Sequence, residues 1–164
     1  MGGDGPVTAP PAPEAGEPPA AAGVAAFRIM NVVSVAIDLP DQYPTVVLEE
    51  AEPQRRRLSF RVGVAEGVAL AHALGRTNAP RPLTHDLFGL VLRRFDIDVL
   101  AVRLVGRRGA TYLAELELMG RGDREVLACR PSDGIALALR QRLAAPVLAD
   151  ERLLSTSGDV APTG

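Results

Sequence analysis

Short runs rich in Val, Ile and Leu at Asn31–Asp38 (NVVSVAID), Tyr43–Glu50 (YPTVVLEE) and Arg57–Gly63 (RLSFRVG) predict three β-strands, the first two joined by a turn at Pro40–Asp41. From Val64 the apolar spacing becomes helical and continues to Leu74, where Gly75 is placed to end it. A second helix is predicted from Thr84 to Phe95. Asp98–Val105 and Ala110–Leu118 read as a hairpin around Gly106-Arg107-Arg108-Gly109. In its second arm Tyr112, Ala114, Leu116 and Leu118 share one face, opposite Glu115 and Glu117. A turn at 120–123 (GRGD) leads to a strand at Arg124–Cys129, then a third helix at Ser132–Leu143 and a short strand at Pro146–Ala149. Three strands, two helices, three strands, a helix and a strand do not alternate as βαβ units. The expected class is α+β, a single domain with about three helices on a mixed, mostly antiparallel sheet.

Composition sets the limits of that domain. Residues 1–29 are dominated by Ala, Pro and Gly and cannot bury enough apolar surface to offset their chain entropy, so a disordered tail is expected. Residues 155–164 look the same, leaving 30–154 as the folded part. No apolar run approaches the roughly 20 residues that span a bilayer. The start, MGGDGPVTAPPAPEAGEPP, lacks a basic stretch followed by an apolar one, so the expected location is cytoplasmic, with no membrane partner. The single cysteine fits a reducing compartment.

Charge narrows the function. The 18 basic residues are all arginine, yet the formal charge is -2. That disfavours a stable, sequence-independent nucleic-acid coat and still allows a transient encounter. At 4% aromatic residues, a base-stacking platform is not written here. Walker, GxGxxG, CxxC, HExxH and GxSxG signatures are absent from the sequence.

Two segments carry candidate chemistry. Arg81–Leu87 (RPLTHDL) and Arg130–Arg140 (RPSDGIALALR) each place Arg, Pro, a hydroxyl residue and an Asp at a helix start. Thr84 and Ser132 are candidate N-caps; Asp86 and Asp133 sit where the helix dipole favours an anion. Carboxylates so placed tend to stay ionised, which suits metal ligation or the orienting of a water. Arg81 and Arg130 could hold a phosphate beside free backbone N–H groups. The plainer alternative is ordinary capping, each Arg neutralising the Asp of its own turn. His85 is the candidate for proton transfer, or else a supporting or capping histidine. Glu66 could add a third carboxylate or simply be a solvated helix-start residue. His72 and Cys129 read as structural, and the Arg-Gly-Asp at 121–123 as a turn.

These two segments resemble the bifunctional nuclease domain family. The resemblance runs over roughly Asn31–Leu154 and includes VVLEE (46–50), RVGVAEGVALAHAL (61–74), GATYLAEL (109–116) and PVLADERLL (146–154). It implies a compact α+β domain that forms homodimers and cleaves DNA and RNA without strong sequence preference. Carried onto matching positions, the candidates are Arg81, Thr84, His85, Asp86, Arg130, Ser132, Asp133 and Glu66. This chain departs from the family where LSFRVG (58–63) replaces a segment like LPIWIG, with Ser59 for proline and Arg61 for a bulky apolar residue. Gly67 and Gly134 stand where alanine is usual.

Two readings follow. In the first, a nuclease, Asp86 and Asp133 with Glu66 hold a divalent metal such as Mg2+, Arg81 and Arg130 clamp the phosphate with Thr84 and Ser132, and His85 moves a proton. In the second, a non-catalytic dimeric binding or regulatory module, capped helix starts hold an anionic ligand. The first requires both helix starts to converge on one pocket.

Overall fold

The computed structural model describes residues 26–37, 40–51, 54–77 and 80–154; the stretch 155–164 and most of 1–29, read above as tails, lie outside the described residues. Seven strands and three α-helices follow in the order β1 (Phe27–Ala36), β2 (Thr45–Glu50), β3 (Arg57–Arg61), α1 (Val64–Leu74), α2 (Thr84–Arg94), β4 (Ile97–Arg108), β5 (Thr111–Gly120), β6 (Asp123–Cys129), α3 (Pro131–Leu139) and β7 (Val147–Asp150). A 3-10 turn at Glu151–Leu153 follows. All strands belong to one sheet, ordered β3-β2-β1-β7-β4-β5-β6. The class is α+β with a mixed, largely antiparallel sheet, since only β4 and β7 run parallel. Among the described residues no helix is long and apolar enough to cross a membrane.

The sheet is two three-stranded meanders, β1–β3 and β4–β6, joined through β7. That four-residue strand pairs with Phe27–Met30 of β1 on one side and with Val102–Leu104 of β4 on the other. The first strand therefore starts at Phe27, earlier than the composition of the leading stretch indicates. Alanine-rich sequence hides the boundary; pairing with β7 creates it.

Register assigns the two faces, because residues directly opposite share a side. Val102 and Leu104 face Leu116 and Ala114 across β4–β5, and Val46 and Leu48 face Phe60 and Leu58 across β2–β3. These apolar positions form the buried face, on which the helices pack. The other face carries ion pairs between neighbouring strands: Arg103 with Glu115 at 3.2 Å, Arg124 with Glu117, and Arg57 with Glu49 at 2.7 Å. The sheet also curls. Phe60 on β3 and Tyr112 on β5 are separated in the order by β2, β1, β7 and β4, yet their rings lie 5.8 Å apart.

Within the curl, α3 is buried from Ser132 to Ala138 apart from Asp133, as expected for a helix apolar on nearly every side. It ends at Leu139 rather than near Leu143, because the chain must turn back into β7 and Ala145 N donates to the Ala138 carbonyl. Strand β4 likewise runs past its expected end to Arg108, with bulges that keep Gly106 in the ladder opposite Leu113. Gly67 and Gly134 mark the closest approaches: an added β-carbon would stand 2.5 Å from Pro44 Cγ and from Val102 Cγ2, respectively.

Gly134→Ala tests this packing. Forcing a methyl group against Val102 costs about 1–3 kcal/mol, against roughly 1 kcal/mol of helix propensity gained. A net loss of stability in urea unfolding is expected; a more stable variant would refute the close approach.

Candidate functional site

The first turns of all three helices contribute to one chain of ion pairs. Glu66 lies in the first turn of α1, His85 in that of α2 and Asp133 in that of α3. Arg130, the residue before α3, links them. Its Nε donates to Asp133 Oδ2 at 2.8 Å and its Nη2 to Oδ1 at 3.1 Å, while Nη1 donates to Glu66 Oε1 at 2.9 Å. Asp133 Oδ1 also meets His85 Nε2 at 3.1 Å. The two sequence motifs thus come together through His85 and Asp133.

Local chain chemistry explains the placement. Pro131 supplies the fixed φ suited to the first helical position, so Arg130 is the N-cap of α3 and Ser132 falls one residue deeper. Ser132 is buried and does not cap. In α2 the N-cap is Leu83, whose N–H donates to Asp86 Oδ2 at 2.9 Å. Both expected caps, Thr84 and Ser132, are therefore corrected: each lies inside its helix, because the chain turns helical earlier than the hydroxyl residue. Asp86 supplies half of a capping box, and a leucine side chain cannot supply the other half.

Burial would raise the Asp133 carboxyl, but hydrogen bonds from Arg130 and His85 outweigh it and hold the group below the ordinary aspartate range. Asp133 is thus ionised at neutral pH. The same bonds push the Arg130 guanidinium further into its charged form. Arg130 nevertheless stays open to solvent, its side chain 66% exposed.

Arg130 lines a cleft of about 360 Å3 with Glu66, Ser132 and Cys129 on one side and Arg61 and Tyr112 on the other. The Glu66 carboxylate folds back over Gly63, where a side chain would collide with Oε2. The Phe60–Tyr112 pair forms an aromatic wall, with the Arg107 guanidinium 5.3 Å from the Tyr112 ring centre. Sequence reasoning missed this wall by weighing aromatic content instead of position. The alternation that faces Tyr112 inward along β5 was the available signal. Arg61, the departure from the family pattern, reaches Asp41 Oδ2 at 2.7 Å from the same cleft.

Asp86 does not join this cluster. Its carboxylate pairs with Arg140 at the end of α3 and borders a second cleft. Arg81 is exposed and makes no ion pair among the described residues. The carboxylates read as a metal set are thus divided: Glu66 and Asp133 face Arg130, and Asp86 faces Arg140. Among the described residues no group of three His, Cys, Asp or Glu is arranged to hold a metal ion. Each carboxylate already faces a guanidinium, so as they stand they do not fit a divalent cation.

Comparison with known proteins gives two findings. The profile described as bifunctional nuclease domain matches residues 46–161. Uncharacterized proteins of Mycobacterium tuberculosis, from strains CDC 1551 and H37Rv, are each 31% identical over 134 residues, covering 81% of this chain and 77% of theirs.

Cys129 offers a check on the cleft. Burial, followed by the charge of Asp133, pushes its thiol up to about 11, well above the ordinary cysteine range. The thiolate is the reactive form, so at pH 8 alkylation by iodoacetamide should run about a hundredfold slower than at an ordinary thiol. It should accelerate until about pH 11. Rapid labelling at pH 8 would contradict the enclosed setting.

Proposed function

The chain belongs to the bifunctional nuclease domain family, and we propose that it hydrolyses phosphodiester bonds of DNA and RNA, with low sequence specificity, in the cleft beside Arg130. One observation carries this reading. Arg130 uses three of its five N–H groups on Asp133 and Glu66, leaving one on each terminal nitrogen for a phosphate at the cleft mouth. A guanidinium anchored twice loses little further freedom on binding, so it is oriented before the substrate arrives.

In this reading the phosphodiester lies between Arg130 and Arg61. Glu66 Oε2, which has no hydrogen-bond partner among the described residues, takes a proton from a water, or from a ribose 2′-hydroxyl in RNA. The deprotonated oxygen attacks phosphorus, the ester bond to the leaving oxygen breaks, and solvent returns a proton to that oxygen. Arg130 and Arg61 balance the charge that grows on the non-bridging oxygens. Asp133 and His85 position Arg130. The Phe60–Tyr112 wall gives an unstacked base a surface beside the reacting phosphate. No step runs through a metal ion, because Asp86 is turned away to Arg140 and no three carboxylate, His or Cys groups gather to hold one among the described residues.

The alternative reading, a binding or regulatory module, draws support from the same ion chain. Two carboxylates already neutralise Arg130, and a nucleic acid or other anionic ligand could sit in the cleft without turnover. The homodimer implied by the family finds support along α2 and its C-cap, where Leu87, Val91 and Phe95 recur at helical spacing and are 56%, 42% and 58% exposed.

A nuclease assay on highly purified protein, after chelator treatment, tests the reaction on single-stranded RNA and DNA. Glu66→Gln should lower kcat by about 10²–10⁴ with KM little changed. Arg130→Gln should lower it by about 10²–10³ and raise KM as well. Activity that survives both substitutions arises elsewhere, and tight binding without cleavage favours the module. Activity abolished by chelator and restored by Mg2+ would return the reaction to a metal. Sedimentation of wild type beside Val91→Glu/Phe95→Glu tests the dimer: a dimer that becomes a folded monomer is expected, and a wild-type monomer at micromolar concentration would overturn it.

A further inference from the structure

A second cleft, of about 380 Å3, opens on the other side of the α2–α3 contact. Its lining includes His72 and Arg76 from the end of α1, Asp86, Gly89 and Arg93 from α2, and Arg140 from the end of α3. Four buried side-chain nitrogens lack a hydrogen-bond partner among the described residues, and two of them, His72 Nδ1 and Arg140 Nε, belong to residues that line this cleft. Buried polar groups are normally satisfied, so two orphans in one cleft point to a missing partner.

The net charge at the cleft is positive. Asp86 is spoken for, bonded to Arg140 and to the Leu83 N–H. Arg140 is fixed in turn, its Nη2 donating to the Ala69 carbonyl at 3.4 Å and its side chain only 10% exposed. Arg76 and Arg93 pair with no carboxylate among the described residues. Gly89 leaves α2 bare one turn before Arg93, so the Arg93 Nη1 lies 3.5 Å from the position a β-carbon would take. The ends of α1 and α3 each add about half a negative charge. Against Asp86 and these two termini, three guanidiniums still leave the cleft positive.

We propose that this cleft binds a phosphate group, gripped by Arg76 and Arg93 over a floor built by Arg140 and His72. Guanidinium forks match the oxygens of phosphate, and the two free arginines give the edge that faces solvent. The group is either a free phosphate, as on a mononucleotide, or a phosphodiester of a longer strand. The site is separate from the Arg130 cleft and does not rest on hydrolysis there.

Calorimetric titration of the full chain with inorganic phosphate, adenosine 5′-monophosphate and a short single-stranded oligonucleotide decides the matter. Arg76→Gln/Arg93→Gln removes two exposed side chains, and Arg121→Gln, at the β5–β6 turn, is the control for lost charge. Binding of phosphate and mononucleotide that weakens at least tenfold in the double variant alone supports a free phosphate. Binding confined to the oligonucleotide, with the same loss, supports a strand. If the double variant binds every probe as wild type does, or Arg121→Gln weakens binding equally, the proposal fails.

Discussion

At Gly134 the backbone of α3 comes so close to Val102 on β4 and Cys129 on β6 that no side chain fits between them. This contact sets the depth of α3 within the curled sheet, and the two clefts take their shape from that depth. Its first turn brings Arg130, Ser132 and Asp133 to the starts of α1 and α2; its end brings Arg140 beneath the second cleft. The stripe Asp133, Leu137 and Arg140 follows the helical repeat on one side of α3. The first turn of α2 lies across that stripe, His85 meeting Asp133 and Asp86 meeting Arg140. Neighbouring residues of one motif therefore serve different clefts.

The charged cluster illustrates how ion pairs act when partly exposed. Its pairs contribute little to stability as isolated surface contacts, since solvent screens them. Their value lies in geometry. Asp133 and Glu66 hold Arg130 from two helices at once, so the guanidinium has one favoured orientation despite its exposure. A second network works in a more buried setting, where Arg56 bonds Glu50 at 2.9 Å and 3.0 Å and also reaches Glu151 at 3.1 Å. The hydrogen bonds from Arg56 hold Glu50, only 2% exposed, below its ordinary carboxylate range. It ties the β2–β3 connection to the segment after β7.

The element types were legible because most segments have a clear local pattern: β-branched runs for β1 and β2, helical spacing ended by Gly75 in α1, and alternation in β5. The boundaries that failed were those set by distant parts of the chain. Phe27 becomes strand through β7, and α3 stops short because Ala145 must return to Ala138. The site was legible in its residues and less so in their grouping. Sequence joined Asp86 to Asp133 by motif similarity, but a carboxylate's direction depends on the helix that crosses it. The aromatic wall was hidden for a similar reason, since it exists only once the sheet curls and β3 approaches β5.

Strand β7 is four residues long and sits near the centre of the sheet, yet it follows every other strand in sequence. During synthesis the chain leaves the ribosome from its N-terminal end, so both meanders emerge before the strand that joins them. Until Val147–Asp150 arrive, β1 and β4 each present an open central edge able to pair wrongly with another chain. The sheet is therefore completed in one late step, and a nascent chain stopped before Val147 holds the parts of both meanders without the piece that makes them one sheet.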